Sequence, residues 1–153
     1  MKHLLLVYHS KTGNTQKLAE AVQRGAEHPE VTNTELRVKR AKEAGPEDLL
    51  WANGLLLGTP ENFGYMSGAV KDFLDRTYYE VEGKLAPLPY ALFISCENDG
   101  RGAVSAVSRI AGGYPWVQVQ EPVIARGAVT QQHLASCEEL GLALAMGLDA
   151  GIY

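Results

Sequence analysis

Short apolar runs alternate along this chain with segments whose apolar residues recur at helical spacing. The runs cover residues 3–8, 54–58, 90–95 and 116–124, and a weaker run covers 32–38. Each run is too short for a helix, and unbroken leucine, valine or phenylalanine suits a strand buried on both faces. Strands and helices that alternate in this way are typical of a parallel sheet with helices on both sides. The sequence therefore predicts an α/β fold with a doubly wound, five-stranded parallel sheet.

Five helical segments lie between and after these runs. Four are marked by apolar faces and one by proline at a first helical position, with Ser67 as a candidate N-cap of the third. Their positions are given by Leu18, Val22 and Ala26; by Pro46 to Trp51; by Val70, Phe73, Leu74 and Thr77; by Val104, Val107 and Ala111; and by Leu134, Cys137, Gly141, Ala145 and Leu148. No repeat or linker interrupts them, so we expect residues 1–153 to form a single domain.

Composition excludes several classes of protein. Hydrophobic residues make up 46% of the chain, charged residues 21%, and the net charge of −4 does not suggest a nucleic-acid partner. No apolar run approaches the roughly 20 residues that span a bilayer, and the first residues do not read as a secretory signal. Cys96 and Cys137 lack metal-ligand spacing, and no histidine pair has it either. We expect a cytoplasmic protein without membrane insertion or a metal site.

The first run ends in a segment rich in hydroxyl groups, namely Ser10, Lys11, Thr12, Gly13, Asn14 and Thr15. A phosphate monoester carries about −1.5 to −2 charges at neutral pH and needs many hydrogen-bond donors. The hydroxyls can donate, Gly13 lets the backbone N–H groups converge, and a helix from about Asn14 adds free N–H groups. The segment predicts a phosphate site. Plain helix capping is the alternative, and Lys11 is either a phosphate contact or a solvated side chain.

Two further loops follow the runs at 54–58 and 90–95, and in a parallel sheet they lie at the same edge as the first. The second loop, 59–67, contains Thr59, Pro60, Glu61, Asn62, Phe63 and Gly64, followed by Tyr65, Met66 and Ser67. The third, 96–102, contains Cys96, Glu97, Asn98, Asp99, Gly100, Arg101 and Gly102. Aromatic side chains bind flat rings, and the third loop adds acceptors and amides for a polar ring edge. Together the three loops predict a nucleotide-like ligand.

The loops resemble a known family. Tyr8-His9-Ser10-Lys11-Thr12-Gly13-Asn14-Thr15 resembles the phosphate loop of flavodoxin-like proteins. Gly58-Thr59-Pro60-Glu61-Asn62-Phe63-Gly64-Tyr65-Met66-Ser67-Gly68 is similar to the flavin-ring loop of flavodoxin-fold NAD(P)H:quinone oxidoreductases, and the similarity continues through residues 70–77. The resemblance implies strand order 2-1-3-4-5. It also implies FMN, with its phosphate at residues 10–15 and its ring against 60–64 and 96–102. No side chain is assigned a catalytic role.

Three functions follow from that resemblance as expectations. The first is an FMN-dependent oxidoreductase that takes electrons from NAD(P)H and passes them to a quinone or a similar acceptor. The second is a flavodoxin-type carrier of single electrons between proteins, although this chain is only mildly acidic and its third loop has no aromatic residue. The third is a non-catalytic module of the same fold. Small-molecule or protein redox partners are expected, and the chain is expected to be a monomer or a small homo-oligomer.

Other nucleotide-binding classes are excluded by their motifs. The Gly-x-Gly-x-x-Gly turn of dinucleotide-binding dehydrogenases is absent after the first strand, as is the Gly-x-x-x-x-Gly-Lys-Ser/Thr loop of NTPases. A phospho-receiver domain would have an aspartate where Gly58-Thr59 stands. The three loops, and not the fold class, make these distinctions.

Some residues keep two interpretations at this point. Cys96 is either a small buried residue or a redox thiol, and Phe63 and Tyr65 either pack on the neighbouring helix or touch the ring. A basic cluster follows the second strand, and it is either a solvated face or a contact for the phosphate of NADPH. Its members are Arg37, Lys39, Arg40 and Lys42.

Overall fold

The computed structural model describes residues 1–153 and contains seven strands and five helices. The strands are β1 (Lys2–Tyr8), β2 (Thr34–Arg40), β3 (Gly54–Asn62), β4 (Tyr65–Met66), β5 (Leu88–Cys96), β6 (Trp116–Gln118) and β7 (Val123–Arg126). The helices are α1 (Asn14–Ala26), α2 (Pro46–Trp51), α3 (Gly68–Val81), α4 (Arg101–Ala111) and α5 (Gln131–Asp149). All five predicted helical segments are therefore present.

The main sheet is parallel and has the order β2-β1-β3-β5-β6. Its register places Leu6 beside Val38 on one side and beside Leu56 on the other. Since β5 and β6 correspond to the predicted fourth and fifth strands, this is the expected order 2-1-3-4-5. The α/β fold class is confirmed.

The prediction of one continuous strand over residues 116–124 was wrong. This segment forms two short strands, β6 and β7, and each pairs in parallel with β5. Gln118 lies opposite Tyr90, whereas Val123 lies opposite Phe93, so the edge strand has more residues than its partner between these two points. Pro122 has no N–H to donate to the ladder, which explains why the pairing is interrupted just before β7.

The prediction that residues 59–67 form a simple loop was also wrong. Strand β3 continues to Asn62, and the chain turns back through Phe63 and Gly64 into β4, which pairs antiparallel with β3. The second segment at this edge is therefore a β-hairpin, which holds its side chains in a defined register.

Helices cover both faces of the sheet. Along β1, Leu4 and Leu6 belong to the core under α1 and α5, whereas Leu5 and Val7 belong to the core under α2, α3 and α4. Successive side chains of a strand point to opposite faces, so an unbroken apolar run is required when both faces are covered. None of the helices combines the length and the apolar character that a crossing of a lipid bilayer needs.

Candidate functional site

Three segments meet beyond the carboxyl ends of the central strands. The first loop (residues 10–15) follows β1, the hairpin (residues 59–66) extends β3, and the third loop (residues 96–102) leads from β5 into α4. In parallel α/β sheets ligands bind at this edge, where the crossovers leave in opposite directions. The topology therefore brings together the three sequence segments predicted to form a site.

The first loop ends in a left-handed turn. Gly13 has φ 104° and is the residue before α1, and its N–H donates to Ser10 Oγ at 3.2 Å. A residue with a side chain rarely adopts this φ, which accounts for glycine here. The turn directs the chain into α1 with no side chain of the loop folded over the helix start.

The start of α1 differs from those of the other long helices. Ser67 Oγ accepts from Val70 N in α3, Thr130 Oγ1 accepts from His133 N in α5, and Glu61 accepts from the first turn of α4. No side-chain oxygen accepts from the first-turn N–H groups of α1, and no acidic residue lies there. Free N–H groups at the positive end of a helix dipole form an anion site.

Two hydroxyl groups connect the first loop to the central strand. Thr15 is 2% exposed, and its Oγ1 lies 2.6 Å from Ser95 Oγ at the end of β5. The pair fixes the first turn of α1 against the sheet. Sequence reasoning did not select Ser95, although a polar residue at the end of the apolar run 90–95 is a signal for such a contact. Lys11 and Thr12 are exposed.

The hairpin turn presents an aromatic ring to solvent. Asn62 pairs with Tyr65, and the two residues between them, Phe63 and Gly64, have φ 53° and 69°. This is the backbone of a type I′ turn, which normally selects Asn or Gly at both central positions. Phe63 is nevertheless fully exposed and packs on no helix. Tyr65 is partly exposed beside it.

Glu61 joins the hairpin to α4. Its carboxylate oxygens accept from Gly100 N at 3.3 Å, Gly102 N at 3.0 Å and Ala103 N at 3.3 Å. A carboxylate at a helix N-terminus satisfies free N–H groups and interacts favourably with the helix dipole. Gly102 completes the contact, because a Cβ there would lie 1.9 Å from the carbonyl oxygen of Gly64. The hairpin and the third loop thus form one rigid wall.

Two side chains donate hydrogen bonds to backbone carbonyl groups of the third loop. Cys96 is 6% exposed, and its thiol donates to the carbonyl oxygen of Asn98 at 3.3 Å. Burial raises the pKa of the Cys96 thiol, and the Glu61 carboxylate raises it further, so the group is a protonated thiol at neutral pH. Arg126 Nε donates to the carbonyl oxygen of Glu97 at 3.2 Å. Arg126 was missed from the sequence, since nothing local marks it.

The predicted site residues fall into two groups. Thr15, Glu61, Gly100 and Gly102 make defined contacts between segments, whereas Lys11, Thr12, Asn62 and Phe63 are exposed at the same edge with no protein partner for their side chains. An edge with free N–H groups at one end and a rigid wall with an exposed aromatic ring at the other can hold a phosphorylated ligand with a flat ring. No three His, Cys, Asp or Glu side chains of the chain cluster closely enough to hold a metal ion.

Comparison with known proteins identifies the family of this chain. The flavodoxin family model matches residues 6–108. A flavodoxin of Aquifex aeolicus is 43% identical over 90 residues, which are 56% of this chain and 48% of that protein. An NAD(P)H dehydrogenase (quinone) of Acidithiobacillus ferrooxidans is 33% identical over 123 residues, covering 67% of this chain and 60% of that protein. The chain thus spans about half of the length of these relatives.

The fold is also shared with solved structures. The structure of a flavodoxin from the domain Archaea superposes with a TM-score of 0.78 at 21% identity, covering 94% of this chain and 96% of that one. The family match includes the first loop and the hairpin. With its sheet order and the family match over residues 6–108, this chain belongs to the flavodoxin family of flavoproteins.

Proposed function

We propose that this chain binds FMN and acts as an oxidoreductase that takes electrons from NAD(P)H and passes them to a quinone or a similar small acceptor. The observation that carries the proposal is the start of α1, whose first-turn N–H groups have no side-chain acceptor while the other long helices each have one. The site needs an anion there, and the FMN phosphate supplies it. Family membership supports the same cofactor.

The residues of the first loop would bind the phosphate. The amides of α1 and the hydroxyl of Thr12 donate to its oxygens, and Lys11 lies close enough along the chain to add a positive charge. Thr15 contributes by fixing the first turn of α1 through Ser95. Gly13 keeps the entry to the helix open.

The hairpin and the third loop would hold the flavin ring. The backbone of Asn62, Phe63 and Gly64 offers peptide groups to the polar ring edge, and the Phe63 ring is free to cover one ring face. Glu61 is already bonded to three backbone amides, so in this proposal it positions the wall and does not contact the cofactor. When bound, FMN supplies the redox chemistry, including acceptance of hydride from a nicotinamide.

Access to the ring favours an enzyme. The third loop contains Cys96, Glu97, Asn98, Asp99, Gly100, Arg101 and Gly102 and no aromatic residue. A ring face without an aromatic cover is open to a flat nicotinamide or quinone ring. The quinone dehydrogenase of A. ferrooxidans supports this branch, whereas the A. aeolicus flavodoxin supports the single-electron carrier as the second candidate.

Cofactor binding is tested first by titration with FMN. We expect micromolar or tighter binding, and Thr12→Val should weaken it by about tenfold or more, since a hydrogen bond to a charged group is lost. Thr32→Val is a matched control, because Thr32 is exposed and lies far from the first loop. Absence of FMN binding at micromolar concentrations would contradict the proposal and would favour a non-catalytic module.

Rapid mixing of the FMN-loaded protein with NADH and with NADPH separates the enzyme from the carrier. An enzyme loses its flavin absorbance within seconds and regains it when a quinone is added. A carrier stays oxidised with both nucleotides and is reduced only through another redox protein.

A further inference from the structure

A basic groove lies beside the first loop. It has a volume of about 400 Å³ and is formed by the ends of β1 and β2 and the start of α3. His9, Arg40, Lys42 and Glu43 line it, and Ala41 and Ala69 form part of its wall. Ser10 belongs both to this groove and to the first loop, so the two sites adjoin.

The basic cluster, placed after the second strand by its sequence, lies mostly within β2, and only part of it is available to a ligand. Arg37 donates to the buried Asp48 carboxylate at 2.9 Å and stacks on Trp51, and Lys39 lies 4.0 Å from the same carboxylate. These two cations share the single negative charge of Asp48, and neither of them lines the groove. Lys42 and Lys11 have no carboxylate within salt-bridge distance.

Arg40 is held in place without being neutralised. Its guanidinium lies over the Tyr8 ring, 4.8 Å from the ring centroid, and donates to Gln16 Oε1 at 3.1 Å. Both partners are uncharged, so the side chain loses freedom and keeps its positive charge. An ordered cation of this kind costs a ligand little conformational entropy on binding.

His9 lines the groove and lies close to three cations. Burial lowers the pKa of His9, and Arg40, Lys42 and Lys11 each lower it further, so His9 is neutral at neutral pH. The one carboxylate that lines the groove is Glu43. Two cations, Arg40 and Lys42, therefore line the groove beside one carboxylate, and Lys11 lies near them in the first loop.

We propose that this groove is a second anion site, which binds the phosphate monoester of a nucleotide other than the flavin. A phosphate monoester carries about −1.5 to −2 charges at neutral pH, and the side chains of Arg40 and Lys42 supply two positive charges that can pair with it. The neutral His9 and the Glu43 carboxylate can accept hydrogen bonds from ribose hydroxyls. The inference rests on the proposed function, because it makes the 2′-phosphate of NADPH the first candidate for the ligand.

Calorimetric titration of the FMN-loaded protein tests the site, with 2′-AMP, 5′-AMP and adenosine as probes and with NADP⁺ and NAD⁺ as whole cofactors. We expect the phosphate-bearing probes to bind and adenosine not to bind. Lys42→Gln should weaken the phosphate probes roughly fivefold, because the cation is solvated, and Arg40→Gln roughly tenfold or more. Lys39→Gln is the matched control, because Lys39 is a cation of the same run that lies 4.0 Å from the Asp48 carboxylate and does not line the groove.

The probes distinguish the sources of the phosphate. Preference for 2′-AMP and NADP⁺ identifies the 2′-phosphate of the nicotinamide donor, whereas equal binding of 5′-AMP identifies a mononucleotide, and both support the site. Failure of every probe at millimolar concentration overturns it, as does binding that Arg40→Gln and Lys42→Gln leave unchanged. Displacement of FMN by the probes also overturns it, because the phosphate then uses the first loop.

The same variants separate this inference from the proposed function. Lys42→Gln should leave the affinity for FMN unchanged, measured by quenching of flavin fluorescence. If NADPH reduces the flavin but Lys42→Gln does not change nucleotide binding, the proposal of a second anion site is wrong and the proposed oxidoreductase function is retained. If the protein does not take up FMN but binds 2′-AMP, and Lys42→Gln weakens that binding, the second anion site is supported and the proposed oxidoreductase function is wrong.

Discussion

At the scale of single residues, Phe63 occupies a backbone conformation and a solvent-exposed position that a phenylalanine normally avoids. It is the one non-glycine residue with a positive φ, and it is fully exposed at the tip of the hairpin. The left-handed conformation costs a residue with a side chain roughly 1–2 kcal/mol. A large apolar side chain that is strained and packs on nothing indicates a role towards a ligand.

Replacing Phe63 separates the strain from the ring. Phe63→Gly should stabilise the fold by about 0–1 kcal/mol, since relief of roughly 1–2 kcal/mol of strain is partly offset by the entropy of glycine in the unfolded chain. Phe63→Ala keeps the strain and should bring no such gain. Both variants should bind FMN more weakly than the native protein. Urea unfolding and FMN titration test this, and equal stability of the two variants would contradict the strain argument.

At the scale of elements, the hairpin and α4 act as one unit. Glu61 accepts from the amides of Gly102 and Ala103 in the first turn of α4, where the N-cap residue Gly100 has no side chain. The local acceptor Asp99 satisfies only the amide of Arg101. Gly102 allows the two backbones to touch. The wall of the proposed ring site therefore depends on the Glu61 carboxylate and on the lack of a side chain at Gly102.

Removing the Glu61 charge should loosen this wall. Glu61→Gln keeps one acceptor oxygen and turns an amide N–H₂ towards backbone donors, and we expect a loss of about 1–3 kcal/mol of unfolding free energy. Amides of the first turn of α4 should then exchange faster with deuterium. Glu97→Gln is the control, because Glu97 is an exposed acid of the third loop whose side chain makes no hydrogen bond. An equal effect of the two variants would show that charge alone matters.

Closing the space at Gly102 should also separate the two elements. Gly102→Ala places a Cβ 1.9 Å from the Gly64 carbonyl oxygen, and we expect destabilisation of about 1–3 kcal/mol and weaker FMN binding. Gly68→Ala is a matched change in the first turn of α3, where the space around the added Cβ is open. It should be neutral or stabilising by up to about 1 kcal/mol. Thermal unfolding of both variants checks the contrast.

At the scale of the whole molecule, contacts between distant parts of the chain close the layers around the sheet. The carboxylate of Asp149, the last residue of α5, accepts from the amides of Thr32 and Asn33 and from the hydroxyl of Thr34, where β2 begins. A carboxylate at a helix C-terminus is unfavourable for the dipole, so these hydrogen bonds account for its position. They join the end of the last helix to the edge of the sheet.

This contact predicts a pH dependence of stability. Burial alone would raise the pKa of Asp149, but the hydrogen bonds from Thr34, Thr32 and Asn33 hold it below the usual 3.8. A lowered folded-state pKa stabilises the protein above the unfolded value, and that contribution is lost as the pH falls through the folded pKa. Asp149→Asn should therefore cost about 1 kcal/mol at pH 7, since the group is partly solvated, and nothing below the folded pKa.

Urea unfolding of the native protein and of Asp149→Asn from pH 7 to pH 2 measures this difference. Glu139→Gln is the control, an exposed acid of the same helix that makes no hydrogen bond. A constant difference between Asp149→Asn and the native protein over the whole range would show that the hydrogen bonds are not charge-assisted.

Structural features that depend only on residues adjacent along the chain could be predicted from the sequence. The apolar runs, the five helices, the Ser67 cap and the turn at Gly13 all follow from side-chain period and backbone preference, which are local properties. The prediction of a phosphate site in the first loop has the same local basis, since the hydroxyl groups, the glycine and the start of the helix are contiguous, and it stays a prediction. The membership of the flavodoxin family follows from these segments.

Other features were decided only by the tertiary structure, because they depend on groups that lie far apart along the chain. Glu61 reads as a ligand contact in the sequence, yet its partner at Gly102 is 41 residues away, and only packing shows that it caps α4. The first-turn N–H groups of α1 have no side-chain acceptor, and this is notable only because the starts of α3, α4 and α5 each have one. The basic cluster likewise divides into cations that pair with a carboxylate and cations that do not, only because Asp48 is buried beside Arg37 and Lys39. Pairings of this kind depend on how the layers pack, and no local pattern in the chain specifies them.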